Sequence, residues 1–348
     1  MRATDMGELE REIDGLGALA RRVLLAVEAV GRATIAEEQG LRGKLASVER
    51  IVVGCEAGGF QTTLSNAVDW EDFIGSEPAD CRWPELDENA PMGLCYTSGT
   101  TGNPKGVMYT HRSTYLHTMA QAMTDAMALS ATDSVCGIVP MFHAMGWGLP
   151  FSATMLGAKQ VMPHRVIDAK SLLDLIAAEQ VTISAGVPTI WQGARAALEA
   201  EPERWDLSNL QRLTCGGSAP PVSLMRWFWD RLGVEMIQGW GMTETNPLGT
   251  LSRRIAKRKH RELSLDAQFE NIAKAGLLMP GLEIEIVDDD WKALPHDGRA
   301  TGNLLIRGPW ICSEYFNDPQ PEKFHDGWLV TGDVARIDPE EYLIIADR

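Results

Sequence analysis

A run of glycine, hydroxyl and basic residues between Tyr96 and Val107 has the residue types and spacing needed to bind phosphate. It reads Tyr-Thr-Ser-Gly-Thr-Thr-Gly-Asn-Pro-Lys-Gly-Val. Glycines such as Gly99 and Gly102 let backbone N–H groups approach an anion closely, and Lys105 adds a positive charge. Four side chains add hydroxyl donors: Thr97, Ser98, Thr100 and Thr101. We therefore predict a phosphate-binding loop here.

A solvated polar turn is the alternative interpretation of this run, because clusters of Gly, Ser, Thr and Pro usually form turns. Such a turn needs neither this density of donors nor the lysine, so we favour the phosphate site. The run does not match the Walker A pattern, in which the lysine directly follows the second glycine and precedes Ser or Thr. Here Lys105 precedes Gly106, and Val107 follows.

A second polar segment follows a predicted strand at residues 238–245. It reads Gln238-Gly-Trp-Gly-Met-Thr-Glu-Thr245. In open α/β sheets, ligands bind beyond the carboxyl ends of the strands. Trp240 can stack on a purine, Thr243 can bind a phosphate oxygen, and Glu244 can hold Mg²⁺. A core tryptophan beside a turn is the alternative.

Two more segments have residues suited to an organic ligand. Gly216 and Gly217 follow another predicted strand and permit close approach to a flat ligand. His143 and Trp147 are four residues apart and share a face if their segment is helical, although a lone histidine is more often structural. Nearby side chains suit an aliphatic pocket: Met141, Met145 and Val187.

The elements that position these segments alternate between strand and helix from residue 92 onward. Strands are predicted at 92–97, 134–140, 159–162, 181–185, 210–215 and 234–238. Helices are predicted at 112–128, 146–156, 171–179, 188–198 and 221–232, with Thr110 or Ser113 capping the first. This alternation predicts an α/β fold with a largely parallel sheet flanked by helices.

The two ends of the chain lack this alternation of strand and helix patterns. Apolar spacing predicts an amphipathic helix over 8–30, then a strand at 48–53 and a long surface connection over 54–91 anchored by Trp70 and Trp83. Short strands at 282–287, 303–307 and 342–345 predict a smaller β-rich subdomain. The basic run 253–261 is predicted to be a solvated loop or helix face, with a phosphate or coenzyme A contact as the less favoured alternative.

Composition limits the classes of partner. The chain has 348 residues, a net charge of −16 and a pI near 4.9, which argues against nucleic acid and anionic membranes as partners. None of its six cysteines forms a C-x-x-C pair, which favours a reduced, cytoplasmic compartment. We predict neither a signal peptide nor a transmembrane segment.

The run Tyr96–Val107 resembles the phosphate-loop signature of the acyl-adenylate-forming enzymes, which include acyl-CoA synthetases, luciferases and peptide-synthetase adenylation domains. Other segments resemble family motifs in the family's order: Pro140–Trp147, Cys215–Pro220, Gln238–Thr245, Gly327–Val334 and Ala346–Arg348. Bacterial medium- and long-chain fatty acyl-CoA synthetases are the most similar group. Trp240 stands where the family usually has tyrosine, so adenine packing is expected to differ.

The resemblance implies a set of ligands and roles. The ligands are a fatty acid, ATP, Mg²⁺ and coenzyme A as co-substrate. Thr97 and Glu244 would hold the metal. The catalytic residues would be Lys105, Thr243, Glu244 and His143. The nucleotide site would comprise Thr97, Ser98, Gly99, Thr100, Thr101, Gly102, Lys105, Gly216, Gly217, Ser218, Gln238, Gly239, Trp240, Gly241, Met242, Thr243, Asp333 and Arg348. The acyl site would comprise His143, Trp147 as a tunnel gate, Gly217 and Gly241.

The family mechanism begins with attack of the fatty-acid carboxylate on the α-phosphorus of MgATP, giving acyl-AMP and pyrophosphate, after which the thiol of coenzyme A attacks the acyl-AMP. By the same resemblance, residues 1–91 are a remnant of the N-terminal subdomain with its surface connection. Residues 92–279 are the nucleotide- and acyl-binding core, and 280–348 are the β-rich subdomain ending at the hinge. We expect a core truncated at both ends, without the C-terminal lid, weak in catalysis alone and able to form a homodimer.

Three alternatives stay open. The first is a non-catalytic fragment that binds nucleotide and fatty acid, which the expected lack of a lid lysine favours. The second is an adenylating enzyme for another carboxylic acid, such as an aryl acid. The third is an interaction protein that uses the predicted helix at 8–30.

Overall fold

The computed structural model describes residues 23–27, 50–54, 67–75, 77–97, 104–163 and 168–347. Contacts divide the chain into two compact units, residues 1–85 and 86–348. The described part of the first unit is a three-stranded sheet followed by a short helix. Its elements are β1 (Val23–Val27), β2 (Arg50–Gly54), β3 (Ala67–Asp69) and α1 (Trp70–Gly75). Both strand pairs, β1–β2 and β2–β3, are parallel.

The first unit confirms one prediction and corrects two. The strand predicted at 48–53 is β2. The helix predicted over 8–30 is wrong at Val23–Val27, because this run of five apolar residues pairs with β2, and the rest of that helix lies outside the described residues. A short apolar run can form either a helix or a strand, and hydrogen bonding to β2 makes this one a strand. Trp70 and Trp83 are 37% and 84% exposed, so they are not the anchors that we predicted.

The second unit begins with a hairpin that presents the predicted phosphate loop. Its strands are β4 (Pro91–Tyr96) and β5 (Gly106–Thr110), which pair antiparallel and lead into α2 (His111–Ala122). Thr110 Oγ1 accepts from Ser113 N at 3.0 Å, and Ser113 Oγ accepts from Thr110 N at 3.0 Å, which forms a capping box. Strand β5 was not predicted, and α2 ends six residues earlier than the predicted residue 128.

The remaining described strands form a twelve-stranded sheet. They are β6 (Ser134–Gly137), β7 (Lys159–Val161), β8 (Ile183–Gly186), β9 (Arg212–Cys215), β10 (Glu235–Gly241), β11 (Leu248–Ser252), β12 (Gly276–Leu278), β13 (Glu283–Val287), β14 (Gly302–Arg307), β15 (Phe324–His325), β16 (Trp328–Ile337) and β17 (Tyr342–Asp347). The order is β13-β14-β16-β17-β12-β11-β10-β9-β8-β6-β7, and β15 pairs with β16.

The sheet has a parallel half and an antiparallel half. Strands β7, β6, β8, β9 and β10 are parallel, which confirms the predicted α/β fold. From β11 to β13 the pairs are antiparallel, and these strands extend the same sheet. The boundary between a core and a β-rich subdomain at residue 279 therefore stays a prediction.

Helices cover both faces of the parallel half. They are α3 (Leu149–Leu156), α4 (Ala169–Ala178), α5 (Pro188–Ala200), α6 (Val222–Leu232) and α7 (Leu265–Ile272). Val135 and Cys136 are neighbours in β6, yet Val135 packs in the cluster formed with α2 and α3, and Cys136 packs in the cluster formed with α4, α5 and α6. The sheet is thus buried on both sides, as parallel sheets generally are. Among the described residues, no helix combines the length and apolar composition that crossing a bilayer requires.

The basic run at 253–261 is only in part the solvated segment that we predicted, because three of its basic side chains are exposed and others contact the rest of the unit. Arg253 donates to Glu235 at 2.8 Å, and the Arg254 guanidinium lies 3.8 Å from the centre of the Trp229 ring. Lys259 pairs with Glu340 at 2.5 Å. These contacts neutralise several of the charges and attach the run to the body of the second unit.

Candidate functional site

Three parallel strands end side by side and bring two of the predicted ligand segments together. Gly186, the last residue of β8, pairs with Cys215 at the end of β9, and Cys215 pairs with Gln238 of β10. Gly216 and Trp240 therefore follow at the same edge of the sheet. This is the edge at which open α/β sheets bind ligands.

Glu244 lies in a short 3-10 helix, Thr243–Thr245, just beyond β10. Its side chain is only 6% exposed, and its Oε1 accepts a hydrogen bond from the Tyr315 hydroxyl at 2.6 Å. Tyr109 of β5 donates its hydroxyl to the Thr243 carbonyl at 2.7 Å. Burial raises the pKa of both tyrosines, so both hydroxyls remain donors at neutral pH. The phosphate hairpin and the Glu244 turn are thereby joined.

The ends of the predicted phosphate loop are fixed by backbone pairing. The Thr97 N–H donates to the Lys105 carbonyl at 2.9 Å. The Lys105 ammonium donates to Gln320 Oε1 and lies 5.1 Å from the centre of the Tyr315 ring. The loop interior from Ser98 to Gly102, and Arg348 at the end of the chain, lie outside the described residues. Their predicted roles in nucleotide binding stay predictions.

Trp240 and Asp333 lie together, although 93 residues separate them in the sequence. The Trp240 indole N–H donates to Asp333 Oδ2 at 2.8 Å, and Asp333 is 3% exposed. The sequence analysis placed both residues in the nucleotide site, Trp240 against the purine and Asp333 by family resemblance. Their proximity is what a nucleoside site requires, and the hydrogen bond between them was not predicted.

The other predicted positions in this segment have structural reasons for their residue types. Gln238 is buried at 5% exposure within β10. A Cβ at Gly241 would collide with the Pro247 carbonyl, so this glycine permits the turn that carries Glu244. Neither observation tests contact with nucleotide. Gly239 and Met242 are half-buried, and Ser218 is exposed.

The predicted acyl segment is not a right-handed helix between His143 and Trp147. Residues Ala144 to Trp147 form one turn with φ between 45° and 63°, the left-handed region. His143 is exposed and precedes this turn, so the prediction that it shares a helix face with Trp147 is wrong. Met141 is 55% exposed, and Met145 packs beside Gly93 of β4. Their predicted place in an aliphatic pocket stays a prediction.

Trp147 nevertheless reaches the end of the parallel strands. A Cβ added at Gly216 would lie 3.0 Å from Trp147 Cη2, so the indole ring rests against the glycine backbone. Gly217 has a φ of 79°, and a Cβ there would lie 3.4 Å from Val187 Cγ1. Gln121 Nε2 donates to the Trp147 carbonyl at 2.8 Å and so holds the last residue of the left-handed turn. Trp147 thus lies against Gly216, and Val187 lies against the next residue, Gly217.

The donor set suits a magnesium ion bound together with phosphate. Within the described ranges, no group of three or more His, Cys, Asp or Glu side chains is arranged to hold a metal by itself. Glu244 supplies one buried carboxylate, and Thr97 supplies a hydroxyl at the start of the loop. Mg²⁺ commonly takes one or two ligands from protein and the rest from phosphate and water. The residues present therefore fit this ion.

Four residues of the site were missed from the sequence. Tyr109, Tyr315 and Gln320 contact the predicted catalytic residues, and Gln121 contacts the predicted gate. Gln121 belongs to a set spaced by three and four residues on α2: Thr114, His117, Thr118 and Gln121. That spacing was a signal for one helix face, but its polar character is typical of a solvent face rather than of a buried one.

Comparison with known proteins gives consistent matches. The profile of the AMP-binding enzyme family matches residues 18–316. A medium-chain-fatty-acid–CoA ligase of Ectopseudomonas oleovorans is 47% identical over 285 residues, covering 82% of this chain and 52% of that protein. A 3-methylmercaptopropionyl-CoA ligase of Ruegeria pomeroyi is 41% identical over 311 residues, covering 89% of this chain and 57% of that protein.

The fold matches as well. The crystal structure of the anthranilate CoA ligase AuaEII in complex with anthranoyl-AMP has a TM-score of 0.81 at 26% identity, covering 99% of this chain and 61% of that chain. The chain spans about half the length of the curated relatives it matches. Because the family profile covers most of the sequence and the strand-end site carries its motifs in order, this chain belongs to the AMP-binding enzyme family.

Proposed function

We propose that this chain is the core of an ATP-dependent acid–CoA ligase that activates an aliphatic carboxylic acid as acyl-AMP before a thioester forms with coenzyme A. The observation that carries the proposal is the convergence at one sheet edge of two candidate subsites. Beyond β10 lie the buried carboxylate of Glu244 and the Trp240–Asp333 pair. Beside them, Trp147 rests on Gly216 at the end of β9.

The proposed first step is attack of the acid carboxylate on the α-phosphorus of ATP, with pyrophosphate as the leaving group. Positioning and charge stabilisation supply most of the catalysis in such a step. Lys105 would pair with the β- and γ-phosphates, and Thr243 would donate to the α-phosphate. Glu244 and Thr97 would hold Mg²⁺, which neutralises phosphate charge as it builds on the leaving group. Asp333 would accept from the ribose hydroxyls, and Trp240 would pack against adenine.

The acid is proposed to be aliphatic. Relatives at 47% and 41% identity are named for a medium-chain fatty acid and for 3-methylmercaptopropionate, and both are aliphatic acids. The ring of Trp147 would cover the entry to the acyl pocket, and the side chain of Val187 would line it. His143 is proposed to approach the acid carboxylate from the exposed segment before the left-handed turn. We also propose a cytoplasmic location, because the cysteines in the described part of the chain are free thiols.

The test is a competition among acids. The purified chain is incubated with MgATP and equal amounts of straight-chain acids from butanoate to hexadecanoate, 3-methylmercaptopropionate and benzoate, and acyl-AMP products are identified by mass spectrometry. We expect adenylates of one window of aliphatic acids. Adenylate from benzoate alone would select the aryl-acid alternative. MgATP binding without any adenylate would select the non-catalytic alternative. Glu244→Gln is the matched control and should form no adenylate.

A further inference from the structure

The segment from Cys312 to Gln320 connects the two parts of the site that handle phosphate and metal. The Cys312 N–H donates to the Glu244 carbonyl at 2.9 Å, and the Phe316 N–H donates to the Gly106 carbonyl at 2.8 Å. At the end of the segment, Gln320 Oε1 accepts from the Lys105 ammonium. One short stretch of chain therefore contacts both the hairpin of the phosphate loop and the turn of Glu244.

Tyr315 lies at the centre of this segment, with its hydroxyl directed at the Glu244 carboxylate. The O–H···Oε1 distance is 2.6 Å, which is typical of a hydrogen bond to an ionised oxygen. Tyr315 and Glu244 are 5% and 6% exposed, respectively. The Tyr315 ring is also fixed from the side by Phe324, whose centroid lies 5.5 Å away in an edge-to-face arrangement.

The pairing determines how the carboxylate can meet a metal ion. A buried carboxylate has lost most of its water, so a hydrogen bond to one oxygen strongly favours a single rotation of the group. With Oε1 bonded to Tyr315, Oε2 is the oxygen left to turn toward a cation. A metal that takes only one or two protein ligands depends on the orientation of each of them.

We propose that Tyr315 is a positioning residue for magnesium, which orients the Glu244 carboxylate so that Oε2 faces the ion that accompanies ATP. This inference rests on the proposed function of the site. It assigns to Tyr315 no contact with ATP or with the acid. A purely structural role for the tyrosine is the competing explanation, and it predicts that the loss of its hydroxyl changes stability but not the effect of magnesium on ATP binding.

The experiment measures the ATP dissociation constant of the full chain by calorimetry, once with Mg²⁺ and once with EDTA. The ratio of the two constants is the magnesium enhancement. Tyr315→Phe keeps the ring and removes the hydroxyl, and we expect the enhancement to fall about tenfold, since a hydrogen bond to a charged group has about that effect or more. The dissociation constant in EDTA should change by less than about twofold.

Tyr342→Phe is the matched control. Tyr342 is fully buried in β17, and its hydroxyl has no hydrogen-bond partner among the described residues. The substitution removes the same atom from a buried tyrosine outside the site, so the magnesium enhancement should stay at the wild-type value. Thermal unfolding of both variants shows whether each is folded at the temperature of the titration.

A second variant tests the same orientation without altering the tyrosine. Glu244→Asp keeps the charge but shortens the side chain, so it cannot hold both the Tyr315 hydroxyl and the ion. Its magnesium enhancement should also fall, and adding Tyr315→Phe to it should cause little further loss. The proposal is overturned if Tyr315→Phe keeps the wild-type enhancement, or if its loss adds fully to that of Glu244→Asp. If the wild-type chain binds no ATP at all, the proposed function fails together with this inference.

Discussion

Replacing Gly216 with alanine tests whether the Trp147 ring closes the acyl side of the site. The added methyl group would lie 3.0 Å from Cη2 and 3.3 Å from Cζ3 of Trp147. Carbon atoms prefer to be about 3.5–4.0 Å apart, so the indole must move by roughly 0.5–1 Å. The backbone at Gly216 is outside the left-handed region, so alanine is not excluded by its dihedral angles.

A displaced gate should alter which acids are accepted. A difference of one methylene in an apolar pocket changes selectivity by about 1–3 kcal/mol, and a ring displaced by this distance has an effect of similar size. We therefore expect the ratio of kcat/KM for long and short acids to change about tenfold in Gly216→Ala. The change in the ATP dissociation constant should be smaller than the change in acid selectivity. Acyl-AMP formation across a series of chain lengths, alongside ATP titration, measures both.

Gly193→Ala provides the control for this prediction. Gly193 is in α5, and a Cβ there would lie 3.5 Å from the Ala169 Cβ, an ordinary contact. This variant should keep the wild-type acid profile and gain up to about 1 kcal/mol of stability from helix propensity. The reasoning is refuted if Gly216→Ala keeps the wild-type profile, or if it weakens ATP binding as much as it alters acid selectivity.

Three further predictions concern Trp240, Gln121 and His117. Trp240→Phe keeps an aromatic ring but removes the N–H group that donates to Asp333, so the affinity for AMP, measured by calorimetry, should fall about tenfold. An unchanged affinity would show that this hydrogen bond does not support the nucleoside site. Gln121→Leu removes both the donor to the Trp147 carbonyl and the acceptor of the buried Ser152 hydroxyl, and urea unfolding should show a loss of about 2 kcal/mol, whereas a neutral result would contradict these contacts. Burial lowers the pKa of His117 to about 3, whereas the pKa of histidine in an unfolded chain is about 6.5. Between pH 6.5 and about pH 3, unfolding therefore takes up a proton, and the stability of the fold falls as the pH falls through this range. His117→Leu should remove up to about 1.4 kcal/mol per pH unit of that dependence, and an unchanged slope in acid unfolding would refute the assignment.

The parallel half of the sheet was predictable because its strands carry their own signals. Strands β8, β9 and β10 are short, and a glycine ends β8 and β10 and directly follows β9. Parallel pairing brings their carboxyl ends to one edge, which placed Gly216 and Trp240 together without knowledge of the tertiary structure. The N-terminal cap of α2 was also predictable from the local sequence, because Thr110 and Ser113 supply both halves of the capping box.

The errors arise where tertiary contacts determined the outcome. Val23–Val27 fits a helix or a strand by composition, and pairing with β2 made it a strand. The polar face of α2 resembles a solvent face, yet His117 and Gln121 are 1% and 3% exposed. The left-handed turn before Trp147 has no composition signal, because alanine, methionine and tryptophan rarely adopt it.

The contacts that complete the site could not be predicted from spacing. Tyr315 and Glu244 are 71 residues apart, and Trp240 and Asp333 are 93 residues apart. Each pair is formed by elements whose positions depend on the order of strands in the whole sheet. Local patterns identified Glu244 and Trp240 as candidates and the family resemblance added Asp333, but only the fold shows which groups orient them.

The most direct test of the central claim is acid-dependent exchange of labelled pyrophosphate into ATP by the 348-residue chain. Exchange requires that the carboxylate attack the α-phosphorus reversibly, and it does not require coenzyme A. We predict exchange that depends on Mg²⁺ and on an aliphatic acid, and that is lost in Glu244→Gln. Equal exchange with and without acid, or full exchange in Glu244→Gln, would contradict the proposal that this site adenylates a carboxylic acid through Glu244.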